Sequence, residues 1–200
     1  MYLSRKKGYT NRALTVQFHR MAEGEMEAAK RIARVAGVAE HRVVSIPQLR
    51  ELSDMQYRRR LAGLPRTYIP MKNATYYSLA AAFAEETGSS FIVGGHNSDD
   101  LKLFEDTSDE FFANLQRALR AGSARLRERR TRIWRPLKRM QKVQVVSLAY
   151  KLGVPLGMTW SCHMEGSEHC WTCEGCLGRK RTFAAAGVVD PLSQNNTENV

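Results

Sequence analysis

Cysteine is absent from this 200-residue chain before residue 162 and after residue 176. The chain also lacks an apolar run long enough to cross a lipid bilayer, so no transmembrane helix is expected. No apolar segment follows the basic residues Arg5, Lys6 and Lys7, which argues against a secretory signal. Together these absences predict a cytoplasmic protein with no membrane partner, and proteins of that compartment rarely keep disulfides.

Acidic residues are outnumbered, 20 against 31 lysines and arginines, which leaves a net charge of +11. This charge indicates an anionic partner, such as a nucleotide, a phosphate group or a nucleic acid. Much of the excess lies in a basic segment that runs from Arg117 to Lys142. A solvated helix end and loop is one interpretation of this segment, and an RNA-binding or phosphate-binding face is the other. Trp134 is the only aromatic residue in it, so a platform for stacking bases is not supported.

The cysteines are concentrated in residues 162–176, where three follow a C-x2-C-x2-C pattern and the fourth precedes them by eight positions. Four thiolates can close a tetrahedral shell around one Zn²⁺ and leave no position open for catalysis. Two glycines in this stretch, Gly166 and Gly175, permit tight bends. We therefore predict one structural zinc ion per chain, with the ligands Cys162, Cys170, Cys173 and Cys176.

Other interpretations of the four cysteines stay open. An iron–sulfur cluster is the main rival, because C-x2-C-x2-C is also cluster spacing, although no Cys-Pro pair follows here. Disulfides or free thiols are further possibilities. His163 and His169 lie close by in the sequence, and either could replace one thiolate.

Short apolar strands alternate with amphipathic helices along the chain, which predicts an α/β fold with a parallel sheet and helices on both faces. The predicted strands are 13–18, 42–46, 90–93 and 132–134, and the predicted helices are 23–36, 73–88, one beginning near 107, 141–152 and 177–186. Ligands of such sheets bind at the carboxyl ends of the strands. Two stretches follow strands in this way, the loop from Gly94 to Asp100 and Gln17-Phe18-His19-Arg20.

The loop from Gly94 to Asp100 is the first of these two candidates for a ligand site. Gly94 and Gly95 permit close approach of the backbone to a ligand, and Asp99, Asp100 and Asp106 could hold Mg²⁺ or hydrogen-bond a heterocycle. A polar turn with an Asx cap is the simpler interpretation.

Lys72 and Asn73 stand where a predicted helix starts. A phosphate could bind at that helix N-terminus, and a plain N-cap at Asn73 beside an exposed lysine is the alternative.

Several stretches resemble the 7-cyano-7-deazaguanine synthase family, and they occur in the family's order. The most specific runs from Thr159-Trp160-Ser161-Cys162 through the other three cysteines to Arg179-Lys180-Arg181-x-Phe183-x3-Gly187-Val188-x-Asp190-Pro191. Upstream, the similar stretches are Glu27-Ala28-Ala29-Lys30-Arg31-Ile32-Ala33, Gly63-Leu64-Pro65-x-Thr67-Tyr68-Ile69-Pro70-x2-Asn73, and Gly94-Gly95-His96-Asn97-Ser98-Asp99 followed by Asp106 and Glu110-Phe111-Phe112.

The resemblance implies a Rossmann-like member of the ATP-pyrophosphatase superfamily that forms a homodimer and acts on a small molecule. The implied enzyme is a carbon–nitrogen ligase that uses ATP and Mg²⁺ to convert 7-carboxy-7-deazaguanine and ammonia to 7-cyano-7-deazaguanine, a queuosine precursor. The residues that would bind substrate or nucleotide are Lys72, Asn73, Gly94, Gly95, His96 and Asp99.

This sequence departs from the family pattern in three places. The pyrophosphate loop Ser-Gly-Gly-x-Asp-Ser is absent, Gln17-Phe18-His19-Arg20 replaces Asp-Tyr-Gly-Gln, and Met71-Lys72-Asn73 replaces Gly-Arg-Asn. The expectation is a nucleotide-binding-type domain over 1–158 without its first strand and loop, a zinc-binding module over 159–191 and a polar tail over 192–200. Such a chain, with its N-terminus missing or diverged, would not adenylylate a substrate. The competing functions are a zinc protein that binds RNA through the basic segment and a tRNA-modifying relative with an iron–sulfur cluster.

Overall fold

The computed structural model describes residues 1–18, 21–51 and 68–193. His19 and Arg20, the stretch 52–67 and most of the predicted tail lie outside the described residues. The chain divides into two compact units, a terminal unit made of Met1–Ile46 with Lys142–Val200 and a central unit made of Pro47–Gln141.

The terminal unit contains one β–α–β arrangement followed, after the central unit, by helices and the cysteines. Strands β1 and β2 pair in parallel, from Arg12 opposite Glu40 to Gln17 opposite Ser45. Parallel neighbours need a long crossover, which helix α2 supplies by burying Met26, Ala28 and Ala33. The elements of this unit are α1 (Tyr2–Lys6), β1 (Arg12–Gln17), α2 (Glu23–Val35), β2 (Glu40–Ser45), α8 (Lys142–Lys151) and α9 (Glu174–Ala186).

The central unit is built around a second parallel pair of strands. Its elements are α3 (Gln48–Glu51), α4 (Lys72–Thr87), β3 (Phe91–Val93), α5 (Ser98–Leu101), α6 (Asp109–Gly122), α7 (Ala124–Glu128) and β4 (Arg132–Trp134). Strand β3 lies beside β4, with Ile92 opposite Ile133. The hydrophobic core of the central unit contains the buried side chains Tyr77, Ala81, Ala84, Ile92, Phe112 and Leu126.

The predicted α/β class with parallel strands between helices is confirmed. In the described residues the four strands pair two by two, one pair in each unit. The sequence-based domain boundaries, which differ from this division, stay a prediction. No helix within the described ranges has the length and apolar character that a membrane span requires.

The prediction that Asn73 caps helix α4 is wrong. The helix begins one residue earlier, at Lys72, and its N-cap is Met71. Asn73 lies inside the first turn, where its side-chain amide donates to the backbone carbonyl of Asp106 at 3.2 Å. A capping Asn would instead accept a backbone N–H of its own helix through its side-chain oxygen.

Candidate functional site

The four cysteine sulfur atoms converge in the terminal unit. All four lie within 4.8 Å of one another, and none is joined in a disulfide. The Sγ atoms of Cys162 and Cys173 are 3.8 Å apart, and those of Cys170 and Cys176 are 3.9 Å apart. Sulfur atoms placed tetrahedrally at zinc's usual 2.3 Å would be about 3.8 Å apart. The spacing of the sulfurs therefore fits one tetrahedral ion.

Backbone N–H groups point at these sulfur atoms. The N–H of Met164 donates to Cys162 Sγ at 3.4 Å, the N–H of His163 to Cys173 Sγ at 3.4 Å, and the N–H of Cys173 to Cys170 Sγ at 3.3 Å. Such bonds stabilise a thiolate over a thiol. The stretch is thus arranged for sulfur in its charged, metal-binding form.

The thiols of Cys170 and Cys176 have very different pKa values when no cation is bound. Hydrogen bonds from Thr172 and the nearby backbone lower the pKa of Cys170 to about 5, whereas burial raises the pKa of Cys176 to about 12. Cys176 is completely buried, so its thiolate has no water to stabilise it. Four adjacent thiolates need a neutralising charge, and a bound divalent cation removes the thiol protons outright.

Both glycines of the cysteine stretch have structural roles. Gly166 adopts φ +117°, a region that side chains rarely tolerate, and a Cβ on Gly175 would lie 2.0 Å from the carbonyl oxygen of Ser161. His163 and His169 are not part of the group of four cysteines that could hold a metal ion. His169 instead accepts the N–H of Ser161 through Nε2 at 3.1 Å, and its ring lies beside Trp160.

A buried ion pair fixes helix α9, which begins at Glu174 and carries Cys176. Arg179 donates from Nε to Asp190 Oδ2 at 2.6 Å and from Nη2 to Oδ1 at 2.7 Å, with both side chains almost fully buried. Burial raises the pKa of Asp190, but hydrogen bonds and charge from Arg179 outweigh it, so the pKa ends below its usual value. Arg179 also donates to Thr159 and to the carbonyl of Leu156, which ties the segment before the cysteines to the same helix.

A separate pocket of about 150 Å³ lies in the central unit. Its lining combines aromatic, basic and acidic side chains from the start of α4 and from the loops that follow β3. The lining residues are Tyr68, Ile69, Lys72, Asn73, His96, Asp100, Phe104, Asp106 and Thr107. Of the predicted substrate-binding residues, Lys72, Asn73 and His96 therefore meet here, whereas Gly94, Gly95 and Asp99 do not line the pocket.

The start of helix α4 is positioned by an unusual backbone. Met71 has φ 56° and ψ 20°, the left-handed conformation that favours glycine, and the family pattern has glycine at this position. The next turn brings Lys72 and Asn73 to the pocket. The N–H of Asn73 donates to Asp106 Oδ2 at 3.4 Å, so a carboxylate of the protein lies where a phosphate would bind at this helix N-terminus.

The loop from Gly94 to Asp100 forms the Asx-capped turn that was its simpler interpretation. Asn97 accepts the N–H of Asp99 at 2.9 Å, and its own N–H donates to Asp100 Oδ2 at 3.0 Å. Asp99 is paired with Lys102 at 3.4 Å, while Asp100 lines the pocket. In the described ranges Asp99, Asp100 and Asp106 do not form a group that could hold an ion together.

His96 is held against two core rings, with centroid distances of 5.9 Å to Tyr77 and 5.1 Å to Phe112. Burial lowers the pKa of His96, and the nearby Asp100 only partly opposes this. The imidazole is therefore neutral near pH 7. Tyr77 also limits the loop, because a Cβ on Gly94 would lie 1.6 Å from the Tyr77 hydroxyl oxygen.

Several arginines of the basic segment hold the central unit together. Arg120 donates to the carbonyls of Thr131 and Arg130, Arg129 donates to that of Gly88, and Arg135 donates to that of Thr107. These bonds give Arg120, Arg129 and Arg135 contacts within the unit, and the solvated-surface interpretation of the segment stays a prediction. RNA binding is not tested by them and stays a prediction.

Sequence reasoning missed the aromatic walls of the pocket, Tyr68 and Phe104, and the ion pair between Arg179 and Asp190. Tyr68, Arg179 and Asp190 lie within the stretches that resemble the family, which was the available signal. Phe104 lies in none of those motifs, and its place became visible only from the fold.

Comparison with known proteins identifies the family of this chain. The model of the family described as queuosine biosynthesis protein QueC matches residues 1–187. A 7-cyano-7-deazaguanine synthase of Rhizorhabdus wittichii is 34% identical, over 94% of this chain and 86% of the relative. Proteins with the same name from Trichodesmium erythraeum and Thermoplasma acidophilum are 30% and 32% identical, over 96% and 92% of this chain and 92% and 82% of their own length. This chain therefore belongs to the QueC family.

Proposed function

We propose that this protein acts in making 7-cyano-7-deazaguanine from 7-carboxy-7-deazaguanine and ammonia at the expense of ATP. It would then be a carbon–nitrogen ligase of the type for which its relatives are named. The observation that carries the proposal is the family match over residues 1–187. The pocket supports it, because residues from two separate family-like stretches, Lys72 with Asn73 and His96, meet there.

The reaction replaces both carbon–oxygen links of a carboxylate by a carbon–nitrogen triple bond. A carboxylate oxygen attacks the α-phosphorus of ATP and pyrophosphate leaves, after which ammonia displaces AMP, loses one proton and gives an amide. The amide oxygen then attacks a second ATP, releasing pyrophosphate and one nitrogen-bound proton. Departure of AMP with the remaining nitrogen-bound proton leaves the nitrile.

The protein's part in such chemistry is positioning and charge stabilisation. Lys72 supplies a cation for the substrate carboxylate, and His96 supplies hydrogen bonds without adding charge, since burial keeps its pKa low. Asn73 fixes Asp106 through the two bonds described above. Mg²⁺, when bound with ATP, would neutralise charge on the transferring phosphates. Roles for Gly94, Gly95 and Asp99 stay predictions.

The cysteine group is proposed to hold one zinc ion per chain. Sulfur is a donor that zinc accepts readily, and four thiolates leave no open coordination position. The ion would stabilise the fold rather than take part in the reaction. Metal analysis of the purified protein tests this proposal: one zinc per chain is expected, and iron with a brown colour would point to a cluster instead.

These 200 residues do not contain the sequence Ser-Gly-Gly-x-Asp-Ser. We therefore propose that the chain alone binds the deazaguanine substrate but does not adenylylate it. A homodimeric state and a cytoplasmic location are proposed on the family resemblance and the composition.

Two measurements on the zinc-loaded chain test the function. Calorimetric titration with 7-carboxy-7-deazaguanine is expected to show saturable binding, and a pyrophosphate-release assay with ATP and ammonia is expected to stay at background. Turnover to the nitrile, detected by mass spectrometry, would support the ligase and refute the inactivity of these residues. Absence of both binding and turnover would refute the proposed function.

A further inference from the structure

Helix α2 begins without a side-chain cap. Its N-cap residue is Ala22, whose methyl group cannot accept a hydrogen bond. The first N–H groups of a helix have no partner within the helix, so they need an acceptor from elsewhere. The N–H of Gly24, the second residue of α2, donates to the backbone carbonyl of Gly166 at 3.1 Å. The cysteine stretch therefore supplies an acceptor at the start of this helix.

Gly166 lies midway between two of the predicted zinc ligands, Cys162 and Cys170. Their sulfur atoms lie within 4.8 Å of each other, so the intervening residues form a closed loop. One ion bound to both sulfurs would hold the ends of that loop together and restrict the positions that its backbone can take. The position of the Gly166 carbonyl is thereby tied to metal binding.

A second contact joins the cysteine stretch to the same residue of α2. A Cβ on Gly24 would lie 2.2 Å from Cζ3 and 2.3 Å from Cη2 of Trp160, so the indole ring lies directly on this glycine. The cysteine stretch holds Trp160 in turn. Its Nε1 donates to the carbonyl of Cys162 at 2.8 Å, and its ring centroid is 4.4 Å from that of His169. Glycine weakens the interior of a helix, and here it provides the space for the ring.

We propose that the zinc-loaded cysteine stretch is the N-terminal cap of helix α2, and that zinc binding is coupled to formation of the first turn of this helix. The inference rests on the proposed zinc ion and extends its role beyond the cysteines. Helix α2 is the crossover between the parallel strands β1 and β2, so the cap connects the metal to the β–α–β arrangement. Because coupling is reciprocal, a change that weakens the contacts with α2 weakens zinc binding by the same factor.

Amide exchange of the full chain, followed by NMR with zinc and after removal of zinc by a chelator, tests the hydrogen bond from Gly24. The net contribution of one such bond corresponds to a factor of about 2 to 12, so the Gly24 amide is expected to exchange about 2- to 12-fold faster without zinc. Amides in the middle of helix α4, which belongs to the central unit, are the control for general unfolding. They should exchange at the same rate in both samples.

Zinc affinity measured by competition with a chelator tests the contact between Gly24 and Trp160. Gly24→Ala places a methyl group against the indole ring, and overpacking of this kind is expected to weaken zinc binding about 5- to 150-fold. Gly178→Ala is the matched control, because Gly178 lies in helix α9 close to Cys176, and a Cβ there would have nothing within 4 Å. This control should keep the wild-type zinc affinity.

Ala22→Ser gives helix α2 a cap of its own and tests the coupling without changing Trp160 or Gly166. A serine at this position accepts an N–H of the first turn through its hydroxyl oxygen. The faster exchange of the first-turn amides after zinc removal should therefore be smaller in this variant than in the wild type. An acceleration as large as that of the wild type would contradict the capping role.

The outcomes separate this inference from the zinc site itself, and none of these measurements depends on ligase activity. If the wild type binds zinc and its Gly24 amide exchanges at the same rate with and without zinc, the capping role is refuted and the zinc site stands. Equal zinc affinities of Gly24→Ala and Gly178→Ala would also refute the coupling. A wild type that binds no zinc refutes both proposals.

Two further readouts keep the test decisive. If zinc removal unfolds the whole chain, as faster exchange in helix α4 would show, the comparison of zinc affinities decides. If thermal melting with zinc shows that Gly24→Ala does not fold, amide exchange of the wild type and of Ala22→Ser decides.

Discussion

The cysteine group of the terminal unit and the aromatic pocket of the central unit are built in opposite ways. The first gathers four identical donors from residues 162–176, with spacing short enough to be set by local turns. The second gathers different side chains from residues 68–73 and 96–107, and helix α4 with strand β3 separates the two stretches. A site whose identical ligands lie close together in the chain can be predicted from the sequence. A site whose different side chains come from separate stretches depends on how the chain packs.

The largest expected effect comes from breaking the local site. Cys176→Ser removes a ligand whose side chain is completely buried. Structural zinc contributes about 10–16 kcal/mol in small zinc domains, which is comparable to the whole stability of a domain. We expect loss of bound zinc and a melting temperature lower by roughly 10 °C or more.

The matched control for that variant is His163→Ala, which leaves all four sulfurs in place. It should keep one zinc per chain by elemental analysis. Loss of zinc in this control, or a zinc content unchanged in Cys176→Ser, would show that the ligand set is not four cysteines.

The second-largest effect is expected from breaking the buried ion pair between Arg179 and Asp190. Asp190→Ala leaves the Arg179 guanidinium buried without its partner and is expected to cost about 3–5 kcal/mol in the free energy of unfolding. Glu174→Ala breaks a pair with Arg181 whose side chains are mostly exposed, and should cost at most about 1 kcal/mol. Urea unfolding of both variants checks the difference, and equal costs would contradict the role given to burial.

The third-largest effect on stability is expected from a change in side-chain packing beside the pocket. Gly94→Ala would place a methyl group against the Tyr77 hydroxyl, which has no hydrogen-bond partner within the described residues. Overpacking of this kind costs about 1–3 kcal/mol. Tyr77→Phe removes that oxygen and should partly restore the stability of Gly94→Ala. Additive effects of the two substitutions in thermal unfolding would contradict the contact.

The pH dependence of stability tests the environment of His96. Burial lowers its pKa, so the unfolded chain, with a pKa near 6.5, binds the proton more tightly. The free energy of unfolding should therefore decrease as the pH falls below about 6.5. It should not change for this reason at pH values well above 6.5. His96→Gln should flatten this part of the curve in urea unfolding between pH 8 and pH 5. An unchanged slope would show that His96 is not buried in its neutral form.

The smallest effect concerns the left-handed residue before helix α4. Met71→Gly relieves the cost of a side chain at φ 56° and should stabilise the protein by about 0.5–1 kcal/mol. Met71→Ala keeps the Cβ, so it should bring no such gain. If both variants behave alike in thermal unfolding, backbone strain at Met71 is not the cause.

These two regions also explain how far the sequence could be interpreted. Alternating apolar residues predicted strand 13–18 within one residue of its observed limits, because strand periodicity is local. Strand 132–134 was also predicted at its observed limits. The cysteine spacing predicted the gathering of four sulfurs for the same reason. In contrast, Asn73 looked like a helix cap, and only its contact with the distant Asp106 shows otherwise.

The pocket walls could not be predicted from local patterns. Phe104 lies in a polar stretch with no strand or helix period, and its ring is brought parallel to Tyr68 by the turns that follow β3. Asp99 and Asp100 are adjacent and chemically identical, yet only Asp100 lines the cavity, since the capping box at Asn97 sets which carboxylate turns inward.

A crystal structure of the chain with zinc and 7-carboxy-7-deazaguanine, recorded with anomalous scattering, tests both sites at once. The account predicts one zinc peak with four sulfur ligands at about 2.3 Å and the heterocycle bound in the central pocket beside Lys72, Asn73 and His96. A deazaguanine bound away from this pocket, or an iron cluster on the cysteines, would contradict it.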